Sequence, residues 1–153
     1  MAVTLQIALD FIDLHRAIKV AEEAVNAGAD WLEIGTPLIK SEGMNAIRQF
    51  RKLFPNITLV ADMKTMDAGR VEIEMAAKAG ADIAVVMGEA SDSTIRECVQ
   101  AGKNYGIKIC ADFINNEKIA DRLKDIEKLG VDYLAVHTAI DEQMSGKTPF
   151  DVL

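Results

Sequence analysis

Residues 60–69, VADMKTMDAG, put Asp62, Lys64 and Asp67 within six positions, directly after the apolar run ITLV. Charge at the end of a buried strand is costly unless it is paired or used. Alternate residues of a strand share a face, so this spacing sends Asp62 and Lys64 to the same side. Other apolar runs end the same way. They deliver Asp10, Glu33, Glu89, Asp112, and His137 with Thr138. Two carboxylates such as Glu33 and Asp62, helped by solvent oxygens, suit a hard cation such as Mg²⁺, which binds through few protein groups. Lys64 among carboxylates is held protonated, whereas a Schiff-base lysine needs the opposite shift. That makes Lys64 a cation facing developing negative charge. His137 exchanges protons near neutral pH. A metal, a cation and a proton carrier around one pocket suit an enediolate intermediate. The plain alternative is a solvated loop, with each strand-end Asp capping the helix that follows. For Asp67, beside Arg70 at a helix start, that capping role is a live alternative.

The elements that position these residues repeat. NAGADWLEIG (26–35), KAGADIAVVMG (78–88) and KLGVDYLAVHT (128–138) each run from a helix tail through Gly, a small residue and Asp into an apolar strand. Their glycines, Gly28, Gly80 and Gly130, are 52 and 50 residues apart. QIALD, TLVAD and IKICAD each end in Asp, and Asp10, Asp62 and Asp112 are again 52 and 50 apart. Two independent markers share one period, which therefore holds two strand–helix units.

Six strands are expected, near 4–10, 31–35, 58–63, 83–88, 108–113 and 133–138. They are short, apolar and rich in Val, Ile and Leu, as parallel strands buried on both faces are. Amphipathic helices separate them. In the first, Ala17, Val20, Ala21, Ala24 and Val25 share a face and Gly28 closes the C-terminus. This alternation means an α/β fold, either an open doubly wound sheet or a (β/α)8 TIM barrel. A fifty-residue double unit fits a barrel of four quarters, about 200 residues in all. The expectation is a single barrel domain over 1–153, cut after about six βα units. Thr148 as N-cap and Pro149 at the first helical position open a last helix. These residues read as an excerpt of a longer protein. In such a barrel the catalytic groups sit at the C-terminal strand ends, which is where Asp10, Glu33, Asp62, Lys64, Asp112 and His137 fall.

Composition narrows the partners. The net charge is −7 and no basic run occurs, which argues against nucleic acid. No apolar run reaches membrane-spanning length and the N-terminus lacks a signal-peptide pattern, so a cytoplasmic protein is expected. Cys98 and Cys110 have no metal-type spacing and read as reduced core thiols. Trp31, Met63 and Met87 read as packing, His15 as exposed, and DRLKDIEK as a solvated helix face with charge pairs.

DMKTMD matches the D-x-K-x-x-D signature of the orotidine 5′-phosphate decarboxylase suprafamily. With QIALD, WLEIGTPLIKSEG, ADMKTMDAG, GADIAVVMG, KICADFI and YLAVHT in order, the chain resembles the 3-hexulose-6-phosphate synthase family over essentially its whole length. That resemblance implies a Mg²⁺-dependent aldolase of the ribulose monophosphate pathway. It would join formaldehyde to D-ribulose 5-phosphate, reversibly, through an enediolate. It implies that Glu33 and Asp62 hold the metal, that Lys64 stabilises the intermediate, and that Asp10, Asp62 and Lys64 contact substrate. Asp67 would reach across a homodimer interface, and His137, with Asp112, would serve proton transfer. The sister family, 3-keto-L-gulonate 6-phosphate decarboxylase, shares the motif. It tends to carry Glu at the position of Asp112 and Arg at that of Ala139, so both residues favour the synthase. An inactive structural fragment of the barrel is the reading from a different class. The Gly-rich phosphate loop expected after strands 7 and 8 does not occur in residues 1–153.

Overall fold

The computed structural model describes residues 3–114, 119–148 and 150. Six strands alternate with seven helices among them. They are β1 (Gln6–Leu9), α1 (Leu14–Asn26), β2 (Trp31–Ile34), α2 (Thr36–Glu42), α3 (Met44–Leu53), β3 (Thr58–Thr65) and α4 (Gly69–Ala79). There follow β4 (Ile83–Met87), α5 (Asp92–Tyr105), β5 (Lys108–Asp112), α6 (Ile119–Leu129), β6 (Tyr133–Ala135) and the single turn α7 (Ile140–Gln143).

All neighbouring strands are parallel and their order is sequential, β1-β2-β3-β4-β5-β6. That order decides between the two α/β architectures. A doubly wound sheet reverses direction at a switch point and places helices on both faces. Sequential right-handed crossovers put every helix on one side and curl the sheet toward a barrel.

Strand alternation then separates two apolar layers. Leu9, Leu32, Ile34, Leu59, Ala61, Ala84, Val86, Ile109 and Ala111 point outward and join the main core with the helices. Val60, Ile83 and Val85 point inward and form a smaller cluster with Trp31 and Cys110. Trp31 packs edge-on against Tyr133, centroids 5.5 Å apart, which joins β2 to β6 across the interior. The expected face of α1 is the packed one: Ala17 and Ala21 are fully buried, with Val20, Ala24 and Val25 against the same core. Asp13 caps that helix by accepting from the Arg16 amide at 2.7 Å, and Gly28, at φ +100, follows its end.

The first marker of the repeat, Gly, a small residue and Asp, has a structural meaning at the N-terminal ends of the strands. Asp30 accepts from the Leu5 amide at 2.8 Å, Asp82 from Leu59 at 2.7 Å and Asp132 from Ile109 at 2.9 Å. In each case the backbone returns the bond, from the Asp amide to the carbonyl of that same residue. One carboxylate thus fastens the start of each even-numbered strand to its predecessor.

All six strands lie where expected, but their bounds differ: β1 is shorter, Gln6–Leu9, β2, β4 and β5 each end one residue early, and β6 and β3 differ with more consequence. β6 is three residues long, so His137 and Thr138 lie beyond it rather than on it. Among the described residues β6 pairs with β5 alone, and the ladder stops at Ala135. β3 runs two residues longer than expected, to Thr65. The helix start expected at Thr148 and Pro149 falls largely on residues outside those described. Among the described residues no helix is long and apolar enough to cross a membrane.

Candidate active site

Inward-facing positions near the C-terminal strand ends carry the charges. Glu33 on β2, Asp62 and Lys64 on β3, and Asp112 on β5 all follow the inward parity set by Trp31, Val60 and Cys110. Asp62 and Asp112 are 4% and 3% exposed, so neither is a solvated loop carboxylate.

Lys64 joins them. Its Nζ donates to Asp62 Oδ1 and Oδ2 at 3.0 and 2.8 Å and to Asp112 Oδ2 at 3.1 Å. His137 Nδ1 lies 2.9 Å from the same Asp112 oxygen. Asp112 Oδ1 accepts from the Ile114 amide at 2.9 Å. Asp62–Lys64–Asp112–His137 is therefore one continuous array spanning three elements of the barrel mouth. Charge-assisted bonds of this kind are strong and hold their members in register.

The electrostatics follow from that geometry. Burial disfavours the Lys64 ammonium, but the bonds and charges of Asp62 and Asp112 outweigh it and raise its pKa above the ordinary lysine value. Lys64 is a fixed cation, as its neighbours in sequence implied. His137 is raised by its hydrogen bond to Asp112, against a smaller opposing effect of burial. Burial pushes the Asp112 carboxyl up, yet His137 and Lys64 together hold it below its usual range. Glu33 behaves differently. Burial, with the Asp62 and Asp10 charges, pushes its carboxyl up to about 7, despite a hydrogen bond from Gln6 and the Lys64 charge.

Asp10 follows β1 and stands over Gly35. A Cβ on that glycine would lie 2.2 Å from Asp10 Oδ1, so only glycine lets the carboxylate settle there. Asp10 thus belongs to the mouth, beside Glu33. Asp67 does not join the array in this chain. It is exposed, and among the described residues its Oδ1 accepts from the Ala68 amide alone, at 2.7 Å. The capping alternative for it also fails. Helix α4 is capped by Ala68, in the left-handed region with no side-chain bond. Glu89 sits exposed on the loop after β4, whose carbonyls at Gly88 and Ala90 accept from Arg122.

Two participants were not singled out from sequence. Thr36 Oγ1 lies 2.7 Å from Asp62 Oδ2 and 2.8 Å from the Asp62 carbonyl, steadying the carboxylate from behind. Gln6 Nε2 donates to Glu33 Oε2. Gln6 shares inward parity with Asp10, a signal that was available; nothing in the sequence singles out Thr36 beyond its place after Gly35. The cysteines match expectation. Cys98 is buried and Cys110 half-buried, both are free, and burial pushes both thiols up to about 12. Neither is a nucleophile at neutral pH. His15 is exposed and Trp31 packs, as expected.

Glu33 and Asp62 make a donor pair suited to a hard dication. They lie on adjacent strands, close enough for Asp62 to raise Glu33, and a dication between them would relieve that repulsion. Among the described residues no group of three or more His, Cys, Asp and Glu could hold a metal, so water or substrate oxygens would complete such a shell.

Known proteins are similar to this chain in sequence and in fold. A family profile, orotidine 5′-phosphate decarboxylase / HUMPS, matches residues 4–150. The chain is 44% identical over 149 residues to 3-hexulose-6-phosphate synthase of Bacillus subtilis, covering 97% of this chain and 70% of that protein. It is 45% identical to the enzyme of the same name from Methylomonas aminofaciens, covering 98% and 71%. Among solved structures, 3-hexulose-6-phosphate synthase from Salmonella typhimurium superposes with a TM-score of 0.93 at 36% identity, covering 97% and 70%. A 3-keto-L-gulonate-6-phosphate decarboxylase from Vibrio cholerae superposes at 0.87 and 33%, covering 95% and 67%.

Proposed function

The chain belongs to the orotidine 5′-phosphate decarboxylase / HUMPS family, and within it we propose that it serves as a lyase of the aldolase type. It joins formaldehyde to D-ribulose 5-phosphate, reversibly, to give 3-hexulose 6-phosphate. The observation that carries this reading is the Asp62–Lys64–Asp112–His137 array, which pairs a fixed cation with a proton carrier. The names and identities of the relatives support the same substrate class.

In this reading neutral His137 accepts the proton that leaves the sugar carbon next to the carbonyl. The electron pair moves onto the carbonyl oxygen and makes an enediolate. Lys64 faces that negative charge with a cation already held in place, so no reorganisation is needed as it develops. The carbanionic carbon then bonds to formaldehyde, and His137 returns its proton to the new alkoxide. Asp112 keeps the imidazole oriented and stabilises its charged form. Asp10 accepts from sugar hydroxyls. Glu33 and Asp62 would hold Mg²⁺, which supplies Lewis-acid polarisation of the sugar oxygens when bound. Thr36 and Gln6 orient those two carboxylates.

Asp67 acts in trans. It is exposed beside Met66, Val71 and Met75, which are 54%, 57% and 43% exposed, an apolar surround suited to a second copy of the chain. Mixing Lys64→Ala with Asp67→Ala protomers is expected to recover part of the activity that each lacks alone.

The deciding experiment follows formaldehyde loss in the presence of D-ribulose 5-phosphate and Mg²⁺. Expected are turnover and its abolition by chelation. A folded protein that consumes no formaldehyde overturns the reading. The same preparation should be offered 3-keto-L-gulonate 6-phosphate. Likeness to the Vibrio cholerae structure makes its decarboxylation the second reading, and faster release of carbon dioxide would favour that one.

A further inference from the structure

Between Ala61 and Thr65, β3 spends four residues where β4 spends two, Ala84 to Val86. Lys64 lies in this bulge with φ +46, a left-handed conformation rare for a side chain of its kind. The excess of two is even, so Ala61 and Thr65 both face outward, as Ala84 and Val86 do. A straight register, with Met63 opposite Val86, would satisfy the same pattern of apolar faces. Hydrophobic burial therefore cannot choose between them. Something polar must.

Thr65 is 1% exposed and sits in the outward, apolar layer, where an unpartnered hydroxyl is costly. Its Oγ1 donates to Glu72 Oε2 on the first turn of α4 at 2.5 Å. In the straight register Thr65 would move two residues along, roughly 6.6 Å, and leave Glu72 behind. The pair also closes the loop that carries Asp67. We propose that the Thr65–Glu72 hydrogen bond is the positioning device that selects the bulged register of β3 and so aims Lys64 at Asp62 and Asp112. The inference deepens the proposed function and rests on it only for its kinetic consequence.

The test uses Thr65→Val, which keeps shape and burial but removes the hydroxyl, together with Glu72→Ala and Glu72→Gln. Glu72 is half-buried on the first turn of α4, outside the strand core that holds Thr65, so its variants guard against loss of folding in Thr65→Val. The primary readout is the nuclear magnetic resonance signature of Lys64: its three-bond amide-to-α-proton coupling and its Cα and Cβ shifts, which report φ. In Thr65→Val and Glu72→Ala these move to extended-strand values. In Glu72→Gln, whose amide oxygen still accepts, they stay. The double variant behaves like either single one. In the same proteins kcat falls about 10- to 100-fold, as a misplaced charge would cause, while KM for the sugar phosphate changes little. A purely structural role would lower the melting temperature and leave the Lys64 signature alone, and that outcome overturns the proposal. Absence of formaldehyde turnover in the unmodified protein overturns the function instead, and the spectroscopic arm still decides the role of the pair.

Discussion

Two rings of aspartate share the same fifty-residue period and do opposite work. Asp30, Asp82 and Asp132 sit at the N-terminal strand ends, exposed, each bonded to one strand amide. Asp10, Asp62 and Asp112 sit at the C-terminal ends, and their surroundings have diverged. Asp62 holds Lys64 and Thr36, Asp112 holds Lys64 and His137, and Asp10 lies over Gly35. A uniform ring is what repeated architecture needs. A diversified ring is what chemistry needs, since one reaction requires a ligand, a cation and a proton carrier at different places. This is the division between stability and catalytic faces expected of barrels.

The comparison breaks most visibly at Asp62 against Asp82, one period phase apart on the same pair of strands. Asp62→Ala should lower kcat/KM by about 10³-fold or more, by removing the proposed metal ligand and the partner of Lys64 together. Calorimetric titration with Mg²⁺ should show weakened binding. If activity survives, the upper ring is structural too and the division collapses.

Glu33 sharpens the contrast through stability. Its folded pKa is about 7, above the ordinary glutamate value, so the folded state binds the extra proton between those limits. Stability is thus favoured at low pH and declines as pH rises through that window. Losing about 2.5 pH units of proton affinity corresponds to on the order of 3 kcal/mol by pH 8. Glu33→Gln should therefore resist urea better than the unmodified chain at pH 8 in chelator, equal it near pH 4, and lose activity. No lower-ring Asp should show this exchange of stability for function.

Asp112 and His137 offer a smaller effect with a definite sign. His137 is raised by Asp112, so the neutral base is lost at a higher pH than for an ordinary histidine. Activity should rise with pH through that displaced midpoint. Asp112→Asn should move the acid limb of kcat/KM downward in pH and reduce the rate about 10- to 100-fold. A limb that stays in place would remove His137 from proton transfer.

How much of this was legible in the sequence follows the same division. The lower ring and its strands were readable because a repeated backbone bond leaves a repeated residue, and period alone finds it. The inward parity of Asp62, Lys64 and Asp112 was readable because strands alternate. The bulge at Lys64 was not, because an insertion of two preserves alternation. The short β6 was not, because the apolar run reaches Val136 while pairing from one side ends at Ala135. Thr36 was invisible as a partner of Asp62, since that contact exists only once β2 and β3 are adjacent. Asp67 was recognised by motif, but its own chain gives it no companion in the array.

The smallest expected effect lies in the lower ring itself. Asp82 accepts from the Leu59 amide and pairs with Arg51, whose guanidinium also donates to the Gly80 and Ile57 carbonyls. In Asp82→Asn the side-chain oxygen can still accept from Leu59, so only the ion pair is lost. For so exposed a pair that is about 1 kcal/mol or less. Arg51 keeps its carbonyl bonds, and the strand start stays fastened. Urea unfolding should show this small loss, while kcat and KM per folded molecule stay unchanged. A change in kcat would mean that the two ends of β3 are coupled. The natural route for such coupling is the bulge between Ala61 and Thr65, where a shift at the strand's start would reach Lys64.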